Sequence, residues 1–200
     1  MNASRYRFFE KSNKFLIGYN RGAGQHELAV YDCDQAVWPE SQRCSAPEKL
    51  DRIIDLGDER LMVVYQDADY KKQLALTSLV DLNDRIVVSP PRFFTRRVAV
   101  SEDQKYWFSH GLDNVSCFKM GDKEPMWTRE FETQRGWTVV FESLGNDQVA
   151  VYENPKIVKI FNIADGSVAL ERDQCFSFRA EGDTVYIKTR EGVEVWQPAE

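Results

Sequence analysis

A chain of 200 residues with 42% hydrophobic side chains and five tryptophans can bury a core, which excludes a disordered reading. Its formal net charge of −6 argues against a general binder of nucleic acid or anionic membrane, since either needs a basic face. No apolar run approaches the ~20 residues of a membrane span, and the N-terminus lacks a signal-type run of about 7–15 apolar residues. The chain therefore reads as soluble, not exported and cytoplasmic.

Short apolar runs broken by turn residues follow one another along the chain. In the first unit they occupy residues 5–9, 14–19, 27–32 and 36–38, followed by a polar link with two prolines over 39–49. The second has 50–55, 60–65, 73–77 and 85–89, with a charged loop at 66–72 and a stop at Pro90 and Pro91. Runs 97–100, 105–109, 114–118 and 125–127 make the third; 137–142, 148–152, 157–163 and 168–170 make the fourth. The fifth holds only three runs, 175–178, 184–188 and 192–196.

Two sets of markers test the phasing. Val30, Leu76, Cys117, Ile160 and Val195 in the third runs step by 46, 41, 43 and 35 residues. Phe15, Leu61, Tyr106, Val149 and Val185 in the second runs step by 46, 45, 43 and 36. A period near forty with four strands per unit predicts an all-β fold, a β-propeller of about five blades built from four-stranded meanders. The repeat units fall at about 5–48, 49–94, 95–134, 135–172 and 173–200 of a single domain. No segment has a sustained helical period, so helix is expected to be nearly absent.

The end of the third strand carries a resemblance. Tyr31-Asp32 and Phe161-Asn162, the latter followed by Ala-Asp-Gly-Ser, resemble the aromatic-plus-Asp dipeptide and glycine turn of WD-repeat blades. Trp196-Gln197 occupies the same position, while Phe118-Lys119 and Thr77-Ser78 depart from the pattern. The chain thus resembles a divergent WD-repeat-like or quinoprotein-like propeller. That resemblance implies a platform for binding proteins or peptides. It also brings in a carbohydrate-active enzyme as an alternative, because some five-bladed propellers are glycosidases working through opposed carboxylates. Three arrangements remain open, a compact five-bladed ring starting at Met1, a part cut from a larger propeller and an open arc, of which the ring is favoured. Its closure requires residues 1–9 to lie beside the fifth unit, which lacks an outer strand.

Chemistry-bearing residues are sparse. His26 and His110 are placed in exposed loops between second and third strands, with no third ligand at metal spacing. Neither a nucleophile elbow nor a P-loop is present, so no catalytic residue, metal or cofactor is expected. The four cysteines stand far apart and read as free thiols. Arg7, Arg52 and Arg97 are spaced 45 residues apart at the innermost strand of three units, and are expected to converge on an anion. Tyr70, His110, Arg135 and Trp137 join them on a loop-rich face whose aromatic and arginine content suits an interface. The expected function is non-catalytic binding of a protein or peptide. An acidic, immunity-type inhibitor of a basic toxin or nuclease is the alternative.

Overall fold

The computed structural model describes residues 2–34, 37, 39–90, 93, 95, 97–111, 114–130, 140–144, 147–153 and 156–197. The chain divides into two compact units, Met1–Phe94 and Thr95–Glu200. The first unit holds two four-stranded sheets. One contains β1 (Asn2–Phe9), β2 (Lys14–Gly22), β3 (Gln25–Asp32) and β4 (Glu40–Ala46); the other contains β5 (Lys49–Gly57), β6 (Arg60–Gln66), β7 (Lys72–Ser78) and β8 (Ile86–Val87).

The second unit holds three sheets. The third sheet contains β9 (Arg97–Val100), β10 (Tyr106–His110), β11 (Asn114–Lys119) and β12 (Trp127–Glu130). The fourth contains β13 (Val140–Leu144), β14 (Gln148–Glu153), β15 (Ile157–Asn162) and β16 (Val168–Arg172). The fifth has three strands, β17 (Ser177–Glu181), β18 (Thr184–Lys188) and β19 (Val193–Trp196). In every sheet the spatial order follows the chain order, and every pairing is antiparallel. The fold is all-β, of five propeller-type meanders, with no helix among the described residues.

The turns explain why the runs pair this way. Asp58 and Glu59 both adopt positive φ between the paired Gly57 and Arg60, giving the two-residue hairpin whose twist suits antiparallel strands. Elsewhere an aspartate carboxylate accepts a backbone N–H two residues on, as Asp55 does from Gly57 at 2.8 Å and Asp165 from Ser167 at 2.8 Å.

Packing follows from the alternation of side chains along a strand. In the first unit, Leu16, Val30 and Cys44 of the first sheet pack on Leu61, Val63 and Ala75 of the second. In the second unit, Phe108 and Cys117 of the third sheet pack on Val149 and Val151 of the fourth. The opposite face of the fourth, with Ala150, Val158 and Ile160, packs on Val185 and Ile187 of the fifth. Each fully buried aliphatic side chain contributes about 1.5–3 kcal/mol.

The third-strand markers keep one orientation: Val30, Cys117 and Ile160 each face the following sheet of their unit. Leu76, opposite Met62, lies on the face away from the first sheet, and Val195 lies opposite Tyr186.

Several expectations are corrected. Tyr106 packs toward the fourth sheet, whereas Leu61, Val149 and Val185 face the preceding one, so the equivalent phase in the third unit belongs to the Trp107 face. A one-residue slip reverses the face of every side chain. The polar stretch 39–49 is not a linking loop: it forms β4 and the start of β5. An outer strand buries one face only, here through Cys44, so polar residues fill the rest. Val37, in the run expected to be the outer strand, is exposed in a bend, and residues 36 and 38 lie outside the described residues. β1 is the inner strand of the first sheet, paired with β2 from Asn2 to Phe9.

The four cysteines are free; Cys44, Cys117 and Cys175 are buried, and burial pushes the Cys117 thiol up to about 12.

Trp127 fastens the third sheet to the fourth. Its indole N–H donates to the Ile163 carbonyl at 2.7 Å, its ring lies 5.9 Å from that of Phe161, and Gly166 sits against the indole. Arg129 adds hydrogen bonds to the carbonyls of Gly166 (2.8 Å) and Asp165 (2.7 Å). Gly166 has φ +68°, and a Cβ there would come within 2.6 Å of the indole, which explains the glycine in the turn. Gly166→Ala is expected to cost about 1–3 kcal/mol through both strain and overpacking. Denaturant unfolding measures it, and an unchanged midpoint would refute the Trp127 contact. Ile160 is fully buried on β15 facing the fifth sheet, so Ile160→Asp should cost several kcal/mol and unfold or precipitate the protein. A soluble variant with an unchanged Tm would contradict this placement.

Candidate functional site: an arginine-lined groove in the first unit

The inner strands of the first two sheets carry Arg5, Arg7 and Arg52. β1 is interrupted by a register shift between Ala3 and Arg5, and β5 by shifts between Leu50 and Arg52 and between Asp55 and Gly57. The equal sequence spacing does not become equal register, because four residues separate the paired Phe9 and Lys14 whereas two separate Gly57 and Arg60, a difference the Asp55/Gly57 shift offsets only in part. Arg7 lies opposite Leu16, one residue past Phe15, while Arg52 lies opposite Val64, three past Leu61. The residue level with Arg52 is Arg5, opposite Gly18, three past Phe15. Sequence reasoning missed Arg5 because it compared arginines by chain spacing alone; counting back along the unbroken pairing from Phe9 opposite Lys14 to Arg5 opposite Gly18 is the signal that finds it.

Arg5, Tyr6, Arg7, Asp51, Arg52 and Ile53 line one groove of about 310 Å³. Its single carboxylate, Asp51, is held by the Lys72 ammonium at 2.7 Å, and the Asp51 carbonyl accepts from Arg5 Nε at 2.9 Å. Arg7 stands 3.9 Å from Asp55, both of them partly exposed, a pairing weakened by solvent. The groove is therefore positive. Arg7 also borders a second hollow of about 750 Å³, where Glu10, Asp55, Asp58 and Glu59 outnumber Arg7 and Lys11. The strip runs from basic to acidic across Arg7.

Tyr70 is not among the residues that line this groove. Arg97 is exposed at the start of β9, in the second unit. Tyr70 is exposed in the β6–β7 loop at φ +62°, its N–H donating to the Asp67 carbonyl at 3.2 Å. His110 is not an exposed loop residue. It ends β10 between Arg97 and Val115, is 2% exposed, and its carbonyl accepts from Thr95 Oγ1 at 3.0 Å. The strand persists to His110 because Gly111 and Asn114 close a tight turn, with Gly111 N–H donating to the Asn114 carbonyl at 2.9 Å. His26 likewise lies in β3, opposite Asn20 and Ala46. Arg135 and Trp137 lie outside the described residues.

A further hollow of about 440 Å³ includes Ala46, Tyr65, Gln73, Arg85 and Val87. Among the described residues, Tyr65 Oη and Arg85 Nη1 are buried there without a hydrogen-bond partner. Burial raises the Tyr65 phenol pKa, and the Arg85 charge opposes that. No group of three His, Cys, Asp or Glu side chains positioned to hold a metal occurs among the described residues. No helix among them is long and apolar enough to cross a membrane.

By sequence the chain matches no family model and none of the curated proteins. By fold it is similar to solved structures. One is a chain of the mitotic checkpoint complex, with a TM-score of 0.64 at 11% identity over 98% of this chain and 61% of that one. Another is the computationally designed Ika8 protein, with a TM-score of 0.61 at 11% identity over 96% of this chain and 57% of that one. The chain thus spans about three fifths of the length of these two, and at such identity the likeness is one of fold.

Proposed function

We propose that the chain is a non-catalytic interaction module that holds a short segment of a partner protein along β1 and β5. The observation that carries this reading is the gathering of Arg5, Arg7 and Arg52 on one groove, where Asp51 is the one carboxylate among the described lining residues and is bridged by Lys72. A guanidinium fork matches a carboxylate, so the groove suits an acidic side chain. Tyr6, exposed beside the arginines, offers an aromatic surface for the same segment. The acidic hollow beyond Arg7 suits a basic residue placed next along the chain. A segment with an acidic residue followed by a basic one therefore matches both. An arginine-lined groove favours this reading over an inhibitor of a basic toxin, which needs an acidic face throughout. The fold likeness to a component of a protein assembly is consistent with protein partners in general.

The test is titration of a fluorescent Glu- and Lys-bearing peptide against the wild type and the Arg5→Ala, Arg52→Ala double variant. Charge-assisted hydrogen bonds of about 1.5–3 kcal/mol each predict a loss of roughly a hundredfold or more in affinity, with ~1.4 kcal/mol per tenfold. Affinity should also fall as salt is raised. Equal affinities for the two proteins would dispose of the groove as a binding site, and a large drop in Tm would make the arginines structural.

A further inference from the structure

The hollow of about 440 Å³ lies at one end of the junction between the first two sheets. Tyr65 of β6, Ala75 of β7 and Val87 of β8 share the face of the second sheet that packs on the first, because Ala75 stands opposite both Val63 and Val87. Arg85, just before β8, lines the same hollow. Ala46, which ends β4, and Pro47 after it line it from the side of the first sheet.

The polar groups at this place are out of balance. Tyr65 is fully buried, yet its Oη has no hydrogen-bond partner among the described residues, and neither has the buried Arg85 Nη1. Folded proteins seldom leave a buried donor unmade, since its desolvation goes uncompensated. The two side chains are neighbours, for the Arg85 charge pulls the Tyr65 phenol down against the rise that burial causes. An acceptor is what the pair lacks. A guanidinium can only donate, and no carboxylate stands among the described residues that line the hollow. Beside the pair the lining is largely apolar, with Ala46, Pro47, Ala75 and Val87.

We propose that this hollow binds a small organic monocarboxylate. The carboxylate accepts from Tyr65 Oη and Arg85 Nη1, and a short aliphatic tail lies against Ala46, Pro47, Ala75 and Val87. One guanidinium supplies one positive charge, which matches a monoanion, and its fork suits the planar carboxylate. A concave, mostly apolar hollow with a few convergent polar groups is the form that small-molecule sites take, and its volume falls in their range of about 300–1,000 Å³. The site is separate from the groove along β1 and β5, and takes a free small molecule instead of a protein segment.

Amide NMR of the full chain, titrated with sodium butyrate at constant ionic strength, tests this. Saturable shifts are expected at Ala46, Gln73, Ala75 and Val87. Acetate, which lacks most of the tail, should bind roughly tenfold more weakly. Tyr65→Phe removes the hydroxyl and Arg85→Met the charge, and each should weaken butyrate binding by roughly tenfold or more. Neither should lower the Tm of the ligand-free protein, because each removes a polar group that has no partner there. The Arg5→Ala, Arg52→Ala double variant should bind butyrate in the hollow as the wild type does, which separates this site from the groove. Shifts that do not saturate, or saturable shifts confined to β1 and β5, overturn the inference. So does butyrate binding that is unchanged in either single variant, and so does a Tm that falls in ligand-free Tyr65→Phe.

Discussion

The structure depends on packing one meander sheet onto the next within each unit. A meander sheet has two faces, and alternation along each strand assigns every side chain to one of them. Where both faces are covered, as on β6 and β14, the strand is an unbroken apolar run with Leu61–Val63 and Val149–Val151 fully buried. A one-residue slip there would exchange the two packing surfaces at once, so register is strongly specified. Trp127 reinforces it from the periphery, because its indole is both bonded to Ile163 and wedged against Gly166 of the next sheet.

Repeat number and central strands were legible in the sequence for the same reason. Runs covered on two faces are mostly apolar, and the third-strand markers Val30, Cys117 and Ile160 kept a single orientation. The outer strands were not legible. β4 and β16 bury little, so Glu40–Ala46 and Val168–Arg172 read as polar linker or as a shorter run. Three consecutive aromatic residues, Tyr106, Trp107 and Phe108, left the phase of the third unit ambiguous, and only packing assigns Phe108 to one face and the stacked Trp107–Phe118 pair to the other. The candidate site was half legible. Arg7 and Arg52 were found by spacing, but hairpin connections of unequal length displaced their register, and Arg5, the residue level with Arg52, was invisible without the pairing.

The arginines also answer a structural need. β1 and β5 are the outermost members of their sheets on the inner side, each hydrogen-bonded to one neighbour. Charged side chains on such edges discourage stray pairing. The same guanidiniums, concentrated by the closeness of β1 and β5, make a groove that attracts carboxylates. Under the proposed reading one feature of composition serves both edge protection and recognition, in a chain of net charge −6.

Residue-resolved amide hydrogen exchange tests the packed meander sheets of each unit most directly. Amides of β6, β10 and β14, paired on both sides and buried on both faces, should exchange slowest and only through global unfolding. Those of β4, β16 and β19 should exchange through local opening, since each is the outermost strand of its sheet. Slowest exchange in the outer strands, or protection spread evenly across each sheet, would contradict the account.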